Sequence, residues 1–233
     1  MGSLREFAVR LADYENPRSL GSRLRRRRLR PLLGLLTRLH ARHGEVRVLD
    51  VGGTREYWSI LPDSAWSTFR LHVSVLNLPG MARGAEDGRF AFLEGDGCNL
   101  AGIGPEAFHL AHSNSAIEHV GEWPRMAAFA SELRRVAAAY YVQTPYFWSP
   151  FEPHFMWPFF HWLPIPLRAR LLMSTDLGQY DRRHDAAEAI RLVEEVRLVD
   201  GWMMRALFPE ARFEIERVLL VPKSIIAIGE PRA

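Results

Sequence analysis

Two short runs of this chain hold side chains that can move protons. The first is Asn114-Ser115-Ala116-Ile117-Glu118-His119-Val120 and the second is Glu152-Pro153-His154. Imidazole titrates near neutrality, so His119 or His154 could take the proton of a hydroxyl. Glu152 could then position one of them or the reacting molecule. Three further runs are suited to holding a ligand. Val46-Arg47-Val48-Leu49-Asp50-Val51-Gly52-Gly53-Thr54 is an apolar β-branched run stopped by an acid and a glycine pair. Gly95-Asp96-Gly97 repeats the pairing of glycine with acid, and Asn77 closes an apolar stretch between them. Glycine lets a backbone approach a ligand closely, and an acid or amide at a strand end can accept hydrogen bonds from it.

These residues need a scaffold that gathers them, and the apolar runs supply one. Val46–Val51, Arg70–Leu76, Arg89–Glu94, Phe108–His112 and Ala138–Gln143 read as strands, each ending in small or polar residues. Open α/β sheets bind ligands at the carboxyl ends of such strands, beside the topological switch. That places Asp50, Gly52, Gly53, Thr54, Asn77, Gly95, Asp96, Gly97, Ser113, Asn114 and Ser115 on the edges of one crevice. Tyr57–Leu61 reads as a short helix, Trp123–Val136 as an amphipathic one, and Arg182–Glu195 as another. Asp200 is a candidate cap for Gly201–Phe208. Arg212–Val221 and Ser224–Ile228 read as a closing pair of strands joined around Pro222-Lys223.

This order of motifs resembles the class I S-adenosylmethionine-dependent methyltransferases, over roughly Val46 to Gly229. Asp50-Val51-Gly52-Gly53-Thr54 resembles their first motif and Gly95-Asp96-Gly97 their adenine-binding turn. Asn114 through Val120 resembles the motif after strand four in the small-molecule branch. The resemblance implies a Rossmann-like seven-stranded, mostly parallel sheet with an antiparallel last strand. It also implies S-adenosyl-L-methionine as cofactor and methyl transfer to a small-molecule acceptor, at oxygen rather than nitrogen or carbon. The implied cofactor contacts are Asp50, Gly52, Gly53, Thr54, Asn77, Gly95, Asp96, Gly97, Asn114 and Ser115. His119 or His154 would be the general base, with Glu152 beside it. Asn77 departs from the family, which carries an acid there for the ribose hydroxyls; an amide loses the charge-assisted part of that contact. Some class I enzymes hold a divalent metal with a Glu-x-x-Glu-His run at this point. Here Ser115 replaces the first Glu, leaving Glu118, His119 and His154, and no metal is expected.

Length and composition bound the rest. At 233 residues, 48% hydrophobic and 24% charged, the chain is an ordinary globular protein. The resemblance implies a helical N-terminal extension or lid, residues 1–45, and a methyltransferase domain, residues 46–233. It also implies that an insertion at residues 145–184 covers the acceptor site. The lone Cys98 excludes an intrachain disulfide and suits a reducing cytoplasm. Met1–Leu20 has no continuous apolar core, and no transmembrane segment is expected. Residues 18–47 carry ten arginines against the single acid Glu45. A solvated face, rather than a nucleic-acid interface, is the expectation, since arginine outnumbers lysine throughout, as in a GC-rich bacterial genome. Apolar spacing there predicts helix over Arg18–His43, split or kinked at Pro31 and stopped by Gly44. Tyr14, Arg18 or Arg23 would touch the cofactor if this segment is a lid. Between Tyr140 and Trp162, 11 of 23 positions are aromatic. Proline denies this stretch regular structure, and it should roof a dry acceptor pocket; a second copy of the chain in a homodimer could also cover it. Two other functions fit the same motifs: an RNA methyltransferase using the basic segment, or a catalytically silent cofactor-binding partner.

Overall fold

The computed structural model describes residues 20–231 except 82, 83, 85, 153 and 219, with side chains from Leu29 onward. The expected cofactor contacts of Tyr14, Arg18 and Arg23 lie outside what it describes. The first element, α1, runs unbroken from Leu20 to His43 with Pro31 inside it. The expected split at Pro31 is therefore corrected. An interior proline costs about 3 kcal/mol. Against this stand Leu32, Leu35, Leu36 and Leu39, all buried against the sheet, at about 1.5–3 kcal/mol each. The packed stripe wins. Gly44, at φ +74°, donates its N–H to the His40 carbonyl at 2.8 Å and stops the helix.

Seven strands follow in one sheet: β1 Val46–Val51, β2 Leu71–Asn77, β3 Phe90–Glu94, β4 Phe108–Asn114, β5 Ala137–Pro145, β6 Arg212–Val218 and β7 Val221–Gly229. Their spatial order is β3-β2-β1-β4-β5-β7-β6. The first five pair in parallel, and β7 runs antiparallel to both β5 and β6. The sheet is the seven-stranded Rossmann-like one expected. The strand order reverses between β1 and β4, which is where a doubly wound sheet opens its crevice. One face packs under α1, α2 (Asp63–Thr68) and Trp58; the other packs under α3 (Trp123–Val136) and α6 (Gly201–Leu207). Apolar runs buried on both faces explain why β1, β4 and β5 lack strict alternation.

Three local readings are corrected. The helix expected at Tyr57–Leu61 is a 3-10 turn over Arg55–Ile60. β6 ends at Val218 and β7 starts at Val221, so the strands are joined before Pro222-Lys223; Pro222 sits inside β7, opposite Arg217 at a register shift. The insertion is also more regular than its prolines suggest. Pro164 and Pro166 open a helix, α4 Ile165–Ser174, because their fixed φ suits a first turn whose N–H groups need no partner. With α5 (Ala186–Glu194), capped by the Asp185 carboxylate, α4 closes a satellite core around Phe155, Phe160, Leu172 and Val193. Trp148, Phe151, Trp157, Phe159 and Trp162 stay exposed on its outer side. Among the described residues, no helix is long and apolar enough to cross a membrane.

Candidate functional site

The carboxyl ends of β1, β2 and β3 are stitched together by backbone bonds. Gly52 donates its N–H to the Leu76 carbonyl at 2.8 Å, and Gly95 donates to the Asn77 carbonyl at 2.8 Å. The Asn77 side chain donates to the Gly53 carbonyl at 3.0 Å. Asn77 thus spends its amide on the glycine turn and keeps its oxygen for another donor. Gly52 is exposed at φ +75°, and a Cβ there would lie 2.5 Å from that of Ala116, in the segment after β4. Only glycine lets the two turns meet this closely. Thr54 is exposed beside them. Ser115, at φ +55°, takes the left-handed backbone that turns the chain out of β4. Asn114, at the end of β4, has a buried side-chain oxygen with no partner in the structure.

Asp50 does not face the crevice. Its carboxylate is fully buried beneath the turn, where Oδ2 accepts from the Trp58 indole at 2.7 Å and Oδ1 meets His112 Nδ1 at 2.6 Å. A Cβ on Gly53 would stand 1.9 Å from the same Oδ2. Full burial, with Trp58 and His112 on its two oxygens, makes Asp50 a support beneath the turn in this structure. Neither Trp58 nor His112 was named from sequence. Their assignment depends on β1 pairing with β4 in the register that sets Asp50 beside His112.

At β3, Asp96 accepts the Cys98 N–H at 2.9 Å and a two-pronged contact from Arg125, at 2.9 and 3.1 Å. The Cys98 N–H, and then Arg125, hold its carboxyl below the usual carboxylate range. A carboxylate offers about four lone-pair sites, so one is left for an incoming amino group. Arg125 also donates to the Val120 carbonyl at 2.7 Å, tying the turn after β3 to the segment after β4. Burial pushes the Cys98 thiol up to about 11, which argues against a nucleophile. Gly97 is demanded by packing: a Cβ there would meet Val51 Cγ1 at 2.7 Å and Phe129 at 2.8 Å. Gly97→Ala should cost about 1–3 kcal/mol through overpacking. Thermal unfolding measures it, and an unchanged midpoint would show that the neighbours yield freely.

The proton-moving residues converge from two separate segments. His119 Nε2 lies 3.1 Å from His154 Nε2, with the rings edge to face. Glu152, 1% exposed, accepts the backbone N–H of His154 at 3.0 Å and that of Phe155 at 2.7 Å, and it also holds His154 Nδ1. Burial lowers the His154 pKa, but the Glu152 hydrogen bond and charge outweigh this and raise it. Burial and the neighbouring His154 lower that of His119. Glu118 is fully buried; its Oε2 accepts from Thr144 at 2.9 Å and its Oε1 has no partner. Burial pushes its carboxyl up to about 7. One ligating atom from each of Glu118, His119 and His154 lies within 4.8 Å of the others. His161, a further polar candidate of the insertion, instead meets the Phe147 carbonyl at 2.7 Å.

No protein-family model and no curated protein matches this chain. Among solved structures it is similar to phosphoethanolamine N-methyltransferase 2 of Haemonchus contortus, solved in complex with S-adenosyl-L-methionine. That likeness has 12% identity and a TM-score of 0.50, over 86% of this chain and 52% of the other. A possible exported protein from Bordetella parapertussis is similar at 17% identity and a TM-score of 0.50, over 88% and 68% of the two chains. An O-methyltransferase family protein from Burkholderia thailandensis is similar at 11% identity and a TM-score of 0.49, over 91% of this chain but 58% of its own length. The chain therefore spans between about half and two thirds of these proteins' lengths. The two likenesses at a TM-score of 0.50 show a shared Rossmann-like fold alone.

Proposed function

We propose that this chain transfers the methyl group of S-adenosylmethionine to a hydroxyl oxygen of a small molecule. The observation that carries this is the His119–His154 pair, with Glu152 on His154, on the segment after β4 that packs against the glycine turn of β1. The residues present suit the cofactor. Gly52 lets the turn after β1 pack on Ala116 while its own backbone stays exposed, the Asn77 oxygen can accept from a ribose hydroxyl, and Asp96 has a lone pair for the adenine amino group. The unpartnered Asn114 oxygen offers one more acceptor at the rim. When bound, S-adenosylmethionine supplies a methyl carbon on a sulfonium, which an acceptor oxygen attacks as the carbon–sulfur bond breaks.

The chain's own part is to align the acceptor, exclude water and remove its proton. The imidazole pair does the last of these. Glu152 fixes His154 through Nδ1, so Nε2 is the nitrogen that faces His119 and the acceptor's proton. The insertion, which has its own packed core, supplies His154 and Glu152 and would cover the acceptor.

Isothermal titration with S-adenosylmethionine and S-adenosylhomocysteine tests the reading on wild type, Asn77→Ala and Asp96→Ala. Micromolar binding that is weakened in both variants is expected, followed by transfer of labelled methyl to oxygen in a metabolite extract. Absence of binding would overturn the enzyme assignment, and tight binding with no transfer to any acceptor would favour the silent cofactor-binding partner. A labelled product methylated at nitrogen would overturn the choice of oxygen.

A further inference from the structure

We infer that the outer face of the insertion docks on a bilayer surface that carries anionic phospholipid headgroups. The first observation is what this face is made of. Trp148 is 52% exposed, Phe151 57% and Phe159 50%, and Trp157, Trp162 and Leu167 are exposed with them. They form one patch. The Trp162 ring lies 4.9 Å from that of Phe159 and 6.0 Å from that of Trp148, and Phe151 bridges to Pro158, next to Trp157. Glu152 is the only acid between Phe147 and Leu167, and it is buried. Neither lysine nor arginine occurs in that stretch, so no fixed charge breaks the patch.

The second observation is the backbone that presents these rings. Phe159 sits at φ +60°, a left-handed conformation that is costly for a bulky residue, and donates its N–H to the Pro150 carbonyl at 2.7 Å. Its ring stays exposed while Phe160, the next residue, is fully buried in the satellite core. Strain retained with an apolar ring in water points to a use for that ring. Trp162 is held as well, its indole N–H donating to the Phe147 carbonyl at 2.8 Å. The rings therefore stand on a packed platform.

Area and charge choose the occupant. Six side chains of this size and exposure offer roughly 500 Å². A standard protein interface covers about 800 Å² on each partner, so a second copy of the chain is a poor cover. Bilayer binding scales with whatever apolar area is buried, and tryptophan and phenylalanine suit the boundary between headgroups and acyl chains. The first charges past the patch are basic. Arg170 is exposed on α4, three residues beyond Leu167 and so on the same side of the helix. An arginine beside apolar rings favours anionic headgroups over zwitterionic ones. The contact is independent of methyl transfer, although Phe151 and Glu152 adjoin, so the docking face and the imidazole pair share one loop.

Flotation of the full-length protein tests this, with vesicles of phosphatidylcholine alone and of phosphatidylcholine mixed equally with phosphatidylglycerol. Wild type is expected to float with the mixed vesicles, and brominated acyl chains should quench its tryptophan emission. Trp148→Ser combined with Phe151→Ser should weaken partitioning by about ten-fold or more. Arg170→Glu should weaken binding to the mixed vesicles, with circular dichroism confirming that each variant is folded. Wild type that stays in solution with both vesicle sets would overturn the proposal. So would flotation without quenching, or flotation unchanged by the two ring substitutions. A wild-type dimer in sedimentation, dissociated by those substitutions, would assign the face to a second copy and overturn it too.

Discussion

Asp50→Ala is expected to remove about 3–5 kcal/mol of folding stability, the usual cost of deleting one partner of a buried polar pair. The carboxylate is fully enclosed, and both oxygens are used, by Trp58 at 2.7 Å and His112 at 2.6 Å. Truncation leaves two buried donors without an acceptor and a void beneath the glycine turn. For a chain of this size the midpoint should fall by roughly 6–20 °C. Binding of S-adenosylmethionine should be lost with it, because Gly53 rests directly on that carboxylate. Asp50→Asn keeps the shape and one acceptor, so it should melt between wild type and Asp50→Ala. A midpoint for Asp50→Ala within a degree or two of wild type would sink the account of Asp50 as the support of the turn.

His154→Ala should lower methyl transfer by about 10²–10⁴-fold, the range for removing a positioned general base. Some stability should go with it, because the buried Glu152 carboxylate loses its side-chain partner and keeps only the backbone N–H groups of residues 154 and 155; thermal unfolding of the variant separates that loss from the kinetic one. The dissociation constant of S-adenosylmethionine should not move, because the glycine turn, Asn77 and Asp96 are all on other elements. His119→Ala should act on the same step. The double variant should then be hardly slower than either single one, as for residues working as one unit. Full turnover by His154→Ala would remove it from the chemistry. A parallel loss of cofactor affinity would make it a structural residue of the crevice instead.

The strand ends were legible in the sequence because each apolar run gives way there to small or polar residues. Asn77 closes β2 and Gly95-Asp96-Gly97 follows β3, whereas Ser113 and Asn114 continue β4 in the buried middle of the sheet and only Ser115 lies beyond it. The match over Trp123–Val136 has the same origin, since an amphipathic period that opens on Pro124 and gives way to an unbroken apolar run admits few other readings. Pro31 and the prolines of the insertion misled for one reason. Proline's local penalty is fixed, while the packing that overrides it depends on distant partners: the sheet for α1, and α5 for α4.

Amino-acid order alone thus determined the sheet, the position of its crevice and the residue types along its edge, because these follow from periodicity and from local backbone preference. Tertiary structure alone decided what those residues do. Register between β1 and β4 turned Asp50 inward to His112, and α3 brought Arg125 across to Asp96. Folding of the insertion carried His154 back to His119 over 35 residues of chain, with Glu152 behind it and Glu118 below. Hydrogen bonds and ligand sets depend on distances of a few ångströms between segments far apart in sequence, and only the folded chain sets those distances.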